Sequence, residues 1–288
     1  GIELAGMFGG EIISSDSMQI YRHMDIGTAK PTPEELAQIT HHMIDIVDPD
    51  EDFDAAQFLS QGRAIIAELG SRGRIPFVVG GTGLYIKALL HGIFQSQSIV
   101  SDVRERLKKE ADEFGSHLLY DRLKQCDPES AGRLHPNDTY RIIRALEVFE
   151  STGRTIGAYH RDHDFTEDPY CVLKIGLTGD RQSLYHRIDY RVDAMIEAGL
   201  VDEVRRLLEM GFSADLKSMR SIGYRHMTEF LGGHLSWDEC VRTLKRDTRR
   251  YAKRQLTWFG ADRTISWQAP ADVKDIISLV GKFLSPIL

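Results

Sequence analysis

Short apolar runs alternate with longer stretches of helical period through the first third of the chain. "GGEIIS" at residues 9–14 reads as a short buried strand, and it delivers Ser15-Asp16-Ser17 where the chain must turn. "HHMIDIVDP" (41–49) reads as extended, and "DAAQFLSQGRAIIAELGSRG" (54–73) as a helix with Asp54 at its N-cap and Gly70 and Gly73 at its end. "IPFVV" (75–79) is a second buried strand that breaks at Gly80-Gly81-Thr82-Gly83 into another helix. This alternation predicts an α/β fold with a parallel sheet.

The rhythm then changes. The segment up to residue 165 is helical in period, with starts at Asp127-Pro128 and Asn137-Asp138 and a stop at Gly153. "YCVLKIGLTGDR" (170–181) returns as a strand, and helices follow. The expected organisation is a first part of the α/β core at 1–94, an inserted helical domain at 95–165, and the core return with C-terminal helices at 166–288.

A hydrophobic content of 42% over 288 residues is globular and excludes a disordered tail. Cys126, Cys171 and Cys240 lie far apart without a CxxC pair, which argues against a disulfide framework or structural zinc and for a reducing, cytoplasmic setting. No apolar run approaches the roughly 20 residues of a membrane span, so no membrane partner is expected. The net charge of −7 argues against indiscriminate nucleic-acid binding, so any such surface must be local. One exists at residues 244–259, "LKRDTRRYAKRQLTWF", with six basic residues against one acid. Arg246, Arg249, Arg250, Lys253 and Arg254 fall at helical spacing on one face, which points to phosphate contact, while Leu244, Ala252, Leu256 and Phe259 can pack inward.

In open α/β sheets ligands gather at the carboxyl ends of strands. Asp16 follows one strand there and Gly80–Gly83 another, where glycines let backbone N–H groups approach an anion and Thr82 adds a hydroxyl. Both stretches have plainer uses, as a cap or turn cluster and as a strand-to-helix turn. A cap alone does not explain the polar run that follows Asp16, with Asp25, Gly27, Thr28 and Lys30. Asp45 is given no chemical role. Arg187 and Arg191 stand four apart on one helix face; spacing alone favours surface ion pairs with Asp189, Asp193 or Glu197.

The ordered set "SSDSMQIYRHMDIGTAKPT", "HHMIDIVDP", "GRIPFVVGGTGLYIKALLHG", "HPND" with "RIIRALEV", "RIDYRVDAMIEAGLVDEV", "SIGYRHM" and "YAKRQLTWF" resembles the tRNA dimethylallyltransferase family, from about residue 1 to residue 267. The resemblance implies a P-loop nucleotide-kinase-like core with an inserted helical domain. It also implies transfer of a dimethylallyl group from dimethylallyl diphosphate, with Mg²⁺, to the exocyclic amine of the adenine 3′ of the tRNA anticodon. By this resemblance Asp16 matches the general base and Arg191 the arginine on the diphosphate, which reverses the reading of Arg191 from spacing. Asp16, Ser17, Met18, Gln19, Thr82, Arg104, Tyr140, Arg141, Arg144 and the segment from Arg220 to Arg225 match positions that contact tRNA. The expected partners are a tRNA anticodon loop and dimethylallyl diphosphate, with the protein a monomer.

The family's P-loop, whose lysine and threonine hold diphosphate and Mg²⁺, has no counterpart here: no GxxxxGK[ST] occurs in the chain. The expectation is that a segment with this loop and its strand precedes Gly1, that the metal ligand lies there, and that these 288 residues alone are inactive. The rival readings are an adenylate isopentenyltransferase acting on free nucleotide, a small-molecule kinase, and a non-catalytic RNA-binding relative. The basic helix and the large insertion favour tRNA over free nucleotide. Intact-mass measurement of the source protein is expected to exceed 32.6 kDa; a mass at that value would remove the missing-segment expectation.

Overall fold

The computed structural model describes residues 1–93, 101–163 and 167–285. The chain divides into two compact units, Gly1–Leu89 with Tyr170–Leu288, and Leu90–Pro169. The boundaries expected at 94–95 and 165–166 lie outside the described residues.

The first unit begins with α1 (Ile2–Met7), β1 (Gly10–Ser14), α2 (Pro33–Gln38), β2 (His41–His42), α3 (Ala55–Ser71), β3 (Ile75–Val79) and α4 (Gly83–His91). β1 is buried at all five positions because it is the central strand, with β2 and β3 parallel on either side. Its Ile12 and Ile13 register with His41 and His42 on one flank and with Phe77 and Val78 on the other. The extended stretch expected over 41–49 is shorter than that. Pairing stops after His42 because Met43 and Asp45 take φ of +65° and +55°, and a single bridge from Tyr21 to Val47 resumes it. α3 starts as expected on Asp54, which accepts from the N–H groups of Ala56 and Gln57 while Gln57 reaches back, a capping box. Gly70 lies inside the helix, and the left-handed turn falls at Gly73 alone. Phe58 on α3 stacks on Tyr85 of α4 with ring centroids 4.4 Å apart, so the strand-to-helix turn after β3 is anchored from below.

The helical unit contains α5 (Ser101–Phe114), α6 (Ser116–Cys126), α7 (Pro128–Arg133), α8 (Thr139–Thr152) and α9 (Ile156–His163). Asp127 and Asp138 cap α7 and α8, and Gly153 ends α8 in the left-handed region, as the sequence predicts. The unit has its own core of Leu107, Leu119, Leu123, Ile142 and Leu146. Around it Arg106 and Arg122 both pair with Glu110 and Glu150, tying α5, α6 and α8 together.

The chain returns through β4 (Ile175–Leu177), α10 (Arg181–Glu197), α11 (Leu200–Glu209), α12 (Tyr224–Leu231), α13 (Trp237–Gly260), β5 (Ser266–Gln268) and α14 (Val273–Leu284). β4 and β5 pair in parallel as a separate two-stranded sheet. Among the described residues no helix is long and apolar enough to cross a membrane.

Leu119→Ala is expected to destabilise the helical unit by about 2–5 kcal/mol, since the side chain is fully buried in that core. Chemical denaturation followed by circular dichroism measures it.

Candidate active site

The tips of β1 and β3 are laced together. Ser15 donates its N–H to the Val79 carbonyl at 2.8 Å, and Thr82 donates its N–H to the Ser15 carbonyl at 3.1 Å. The approach is so close that a Cβ on Gly80 would stand 2.5 Å from Ser15 Oγ and 2.6 Å from its carbonyl oxygen. Only glycine fits. Thr82 completes the lacing: its hydroxyl accepts from the Ser17 N–H at 3.0 Å and donates to Ser17 Oγ at 3.3 Å.

This places Asp16 at the rim of a cleft of about 400 Å³ whose lining includes Ser14, Asp16, Gln19, Ala29, Glu35 and Gly80. Asp16 Oδ1 accepts from the N–H groups of Met18 (2.8 Å) and Gln19 (3.4 Å), so the turn-capping use is real for that oxygen. Oδ2 has no hydrogen bond among the described residues and remains available to a ligand. Gln19 is fixed at both ends of its amide: Ser14 Oγ donates to its Oε1, and its Nε2 donates to the carbonyls of Thr28 and Ala29. The Ser15 hydroxyl beside this turn is buried without a partner. No group of three His, Cys, Asp or Glu stands close enough to hold a metal among the described residues.

The basic helix arrives at the same turn by its other face. Gln255 of α13 donates to the Gly81 carbonyl at 3.0 Å. Burial, and then the Asp16 carboxylate, push the Tyr251 phenol above its usual range. Sequence reasoning missed both residues. Their signal was available as a four-residue spacing inside "YAKRQLTWF".

The cations of α13 do not form one uniform face. Arg249 is engaged by both oxygens of Asp189 on α10, at 2.6 and 2.7 Å, and Lys245 pairs with Asp193 at 2.6 Å. Arg246 and Arg250 flank Asp247 at 2.8 and 3.6 Å. Arg254 lies over the Tyr251 ring, and Lys253 and Arg254 are exposed. The inward packing expected of Leu256 is also corrected: Leu244 is buried, but Leu256 is 40% exposed.

These pairings correct the surface ion pairs that spacing alone favoured for Arg187 and Arg191. Asp189 and Asp193, the acids that would have neutralised Arg187 and Arg191, are occupied by α13. Arg187 and Arg191 have no ion pair among the described residues and line a shallow pocket of about 560 Å³ on α10. Asp247 joins two segments that the sequence leaves far apart, since it also takes Arg225 at 3.0 Å and His226 at 3.3 Å. Arg220 pairs with Asp215. In the helical unit Arg104 and Arg144 share the buried Glu147, at 3.0 and 2.9 Å; Arg141 pairs with Asp138 and Tyr140 is 73% exposed.

A carboxylate and a glycine turn at the carboxyl ends of adjacent parallel strands stand where open α/β folds bind their ligands. A family model described as IPP transferase matches residues 19–262, and the chain belongs to this family. A tRNA dimethylallyltransferase of Desulfosudis oleivorans is 52% identical over 98% of this chain and 90% of its own length. A second relative, tRNA dimethylallyltransferase 2 of Syntrophus aciditrophicus, is 52% identical over 98% and 91%. The crystal structure of the full-length tRNA isopentenylpyrophosphate transferase from Bacillus halodurans superposes with a TM-score of 0.73 at 41% identity, covering 99% of this chain and 91% of that one. A eukaryotic dimethylallyltransferase acting on tRNA superposes at 0.83 with 28% identity, covering 99% and 75%.

The Asp247 carboxyl is held down to about 2, first by the Arg246 hydrogen bond against opposing burial, then by the Arg246 charge and His226. A depressed carboxyl contributes stability above its ordinary value of 3.8, and that stability is lost as pH falls through about 2. Thermal melts of Asp247→Asn are therefore expected to be flatter across this acid window than those of the parent protein.

Proposed function

We propose that this protein transfers a dimethylallyl group from dimethylallyl diphosphate to the exocyclic amine of the adenine 3′-adjacent to the anticodon of tRNA, releasing diphosphate. The observation that carries the reading is Asp16. One carboxylate oxygen is tied to the turn, and the other, at the rim of the cleft, has no hydrogen bond among the described residues. The aromatic amine is a weak nucleophile, so orienting it and taking its proton are the contributions a fixed carboxylate can make. The nitrogen attacks the allylic carbon, the new C–N bond forms as the C–O bond to diphosphate breaks, and the electron pair leaves with the diphosphate. Asp16 receives the amine proton.

Arg191, with Arg187 beside it, meets the charge that develops on the diphosphate, and that neither has an ion pair among the described residues supports that role. The described residues offer no three-ligand cage for a metal. Mg²⁺ commonly takes only one or two protein ligands and otherwise binds phosphates and water, so the oxygens of a cleft lined by Ser14, Asp16, Gln19 and Glu35 would suit a Mg²⁺–diphosphate complex whose own protein ligand is expected on the P-loop. When bound, the ion would neutralise charge on the departing group.

Ser17, Met18, Gln19 and Thr82 line the approach of the adenine. Arg220, Arg225, Arg246, Arg250, Lys253 and Arg254 meet tRNA phosphates, as do Arg104, Tyr140, Arg141 and Arg144 of the helical unit. Arg249 serves the same helix by docking it on α10. In this reading the helical unit is an insertion that serves tRNA binding, and the protein acts as a cytoplasmic monomer.

The test is incubation of the full-length protein with unmodified tRNA, dimethylallyl diphosphate and Mg²⁺, with AMP and ATP in a parallel arm, followed by mass spectrometry. One dimethylallyl increment on an anticodon-loop adenosine is expected; prenylated free nucleotide alone would favour the adenylate-prenylating relatives. Asp16→Ala is expected to lower turnover by about 100-fold or more while tRNA affinity changes little. Lys253→Ala with Arg254→Ala is expected to weaken tRNA binding and reduce its salt slope by about one to two, measured by filter binding across salt concentrations.

A further inference from the structure

Glu203 on α11 is 2% exposed and has no cationic partner among the described residues. Burying a carboxylate is costly unless hydrogen bonds replace its water, and here four do. Oε2 accepts from the N–H groups of Asp25 (3.0 Å) and Ile26 (2.8 Å), and Oε1 from the Gly27 N–H (3.1 Å) and the Tyr224 hydroxyl (2.6 Å). Three successive backbone N–H groups converging on one acid form an anion nest, filled by the chain's own side chain. The fit is close: a Cβ on Gly27 would stand 2.5 Å from the Tyr224 ring.

The loop so held is one that would not keep its shape unaided. His23 and Ala29 take φ of +66° and +47°, and Met43 and Asp45 in the facing loop take +65° and +55°. These are the positive-φ residues other than glycine among those described, and all four lie in the paired loops beyond β1 and β2. Lys30, its side chain 5% exposed, clamps the loops by binding the Tyr21 carbonyl, Asp25 and Asp45. The next residues of the loop, Thr28 and Ala29, present their carbonyls to Gln19 Nε2, and the Gln19 N–H reaches Asp16 Oδ1. An unbroken sequence of hydrogen bonds and peptide units therefore runs from α11 to the cleft.

We propose that Glu203, braced by Tyr224, is a positioning residue for the transfer reaction: it sets the conformation of residues 25–29 and, through Gln19, the orientation of Asp16. This rests on the reading of Asp16 as the base. Glu203 touches no substrate. Its replacement leaves the phosphate contacts of the basic side chains in place and disturbs the geometry of adenine approach and proton removal at Gln19 and Asp16.

The experiment uses the full-length enzyme with Glu203→Gln and Tyr224→Phe. The amide of Glu203→Gln keeps the size of the side chain but turns a donor towards N–H donors. Tyr224→Phe removes one hydrogen bond and leaves three, so it serves if Glu203→Gln fails to fold. Single-turnover transfer rates, corrected for folded fraction, are expected to fall about tenfold to 100-fold for Glu203→Gln and less for Tyr224→Phe, with tRNA and donor affinities changed by less than about threefold. Hydrogen exchange of amides 25–27 is expected to quicken in both. Rates per folded molecule within about twofold of the parent, or unchanged exchange, would overturn the proposal and leave Glu203 an ordinary core acid. An Asp16→Asn arm separates the two readings. A parent-like rate there removes Asp16 as the base, whereas a slow Asp16→Asn with a fast Glu203→Gln removes the positioning role alone.

Discussion

Two parallel strands that end level with one another, and close enough that one of them must turn at glycine, set the terms for the rest of the site. The hydrogen bonds from Ser15 to Val79 and from Thr82 back to Ser15 are short-range, directional and partly sheltered. They leave Asp16 nowhere to go but the rim of the cleft. The Thr82 hydroxyl fixes Ser17, the Gly81 carbonyl receives Gln255, and the long basic helix is thereby docked beside the carboxylate. A strand tip displaced by an ångström would misplace each of these together, because they share the same few backbone atoms.

Acidic side chains organise the polar groups of both units. Glu203 gathers backbone N–H groups, Glu147 holds two arginines of the helical unit, Asp189 docks Arg249, and Asp247 draws Arg225, His226, Arg246 and Arg250 to one point. A chain of net charge −7 thus presents cations to a polyanion without scattering them. Acids beneath the surface fix where guanidinium groups stand, while Arg187, Arg191 and Lys253 are among the cations that have no ion pair within the described residues. A paired arginine still offers donors on its outward edge, so pairing fixes geometry without abolishing phosphate contact.

Much of this was legible in the sequence because it depends on neighbours along the chain. The strand GEIIS, the Asp54, Asp127 and Asp138 caps, the Gly153 stop and the turn at Asp16 are local consequences of side-chain size, hydrogen bonding and backbone freedom. The family was legible in the order of the motifs. The exposure of Leu256 and the early end of the second strand were not, since helical period says which residues share a face but not whether that face has a neighbour, and residues such as Met43 take positive φ only when surrounding contacts hold them there.

Residue types, their spacing and the elements they form were thus determined by the sequence alone, down to the carboxylate at the end of the first strand. The tertiary structure decided the pairings. Whether Arg191 is a neutralised surface residue or an unpaired cation depends on where α13 places Lys245 and Arg249, some fifty to sixty positions away. Whether Glu203 is an ordinary helix acid or the anchor of the 25–29 loop depends on a contact across more than 170 positions. Electrostatic and hydrogen-bond energies fall steeply with distance in space and take no account of distance along the chain, so these assignments come into being only when the chain is folded.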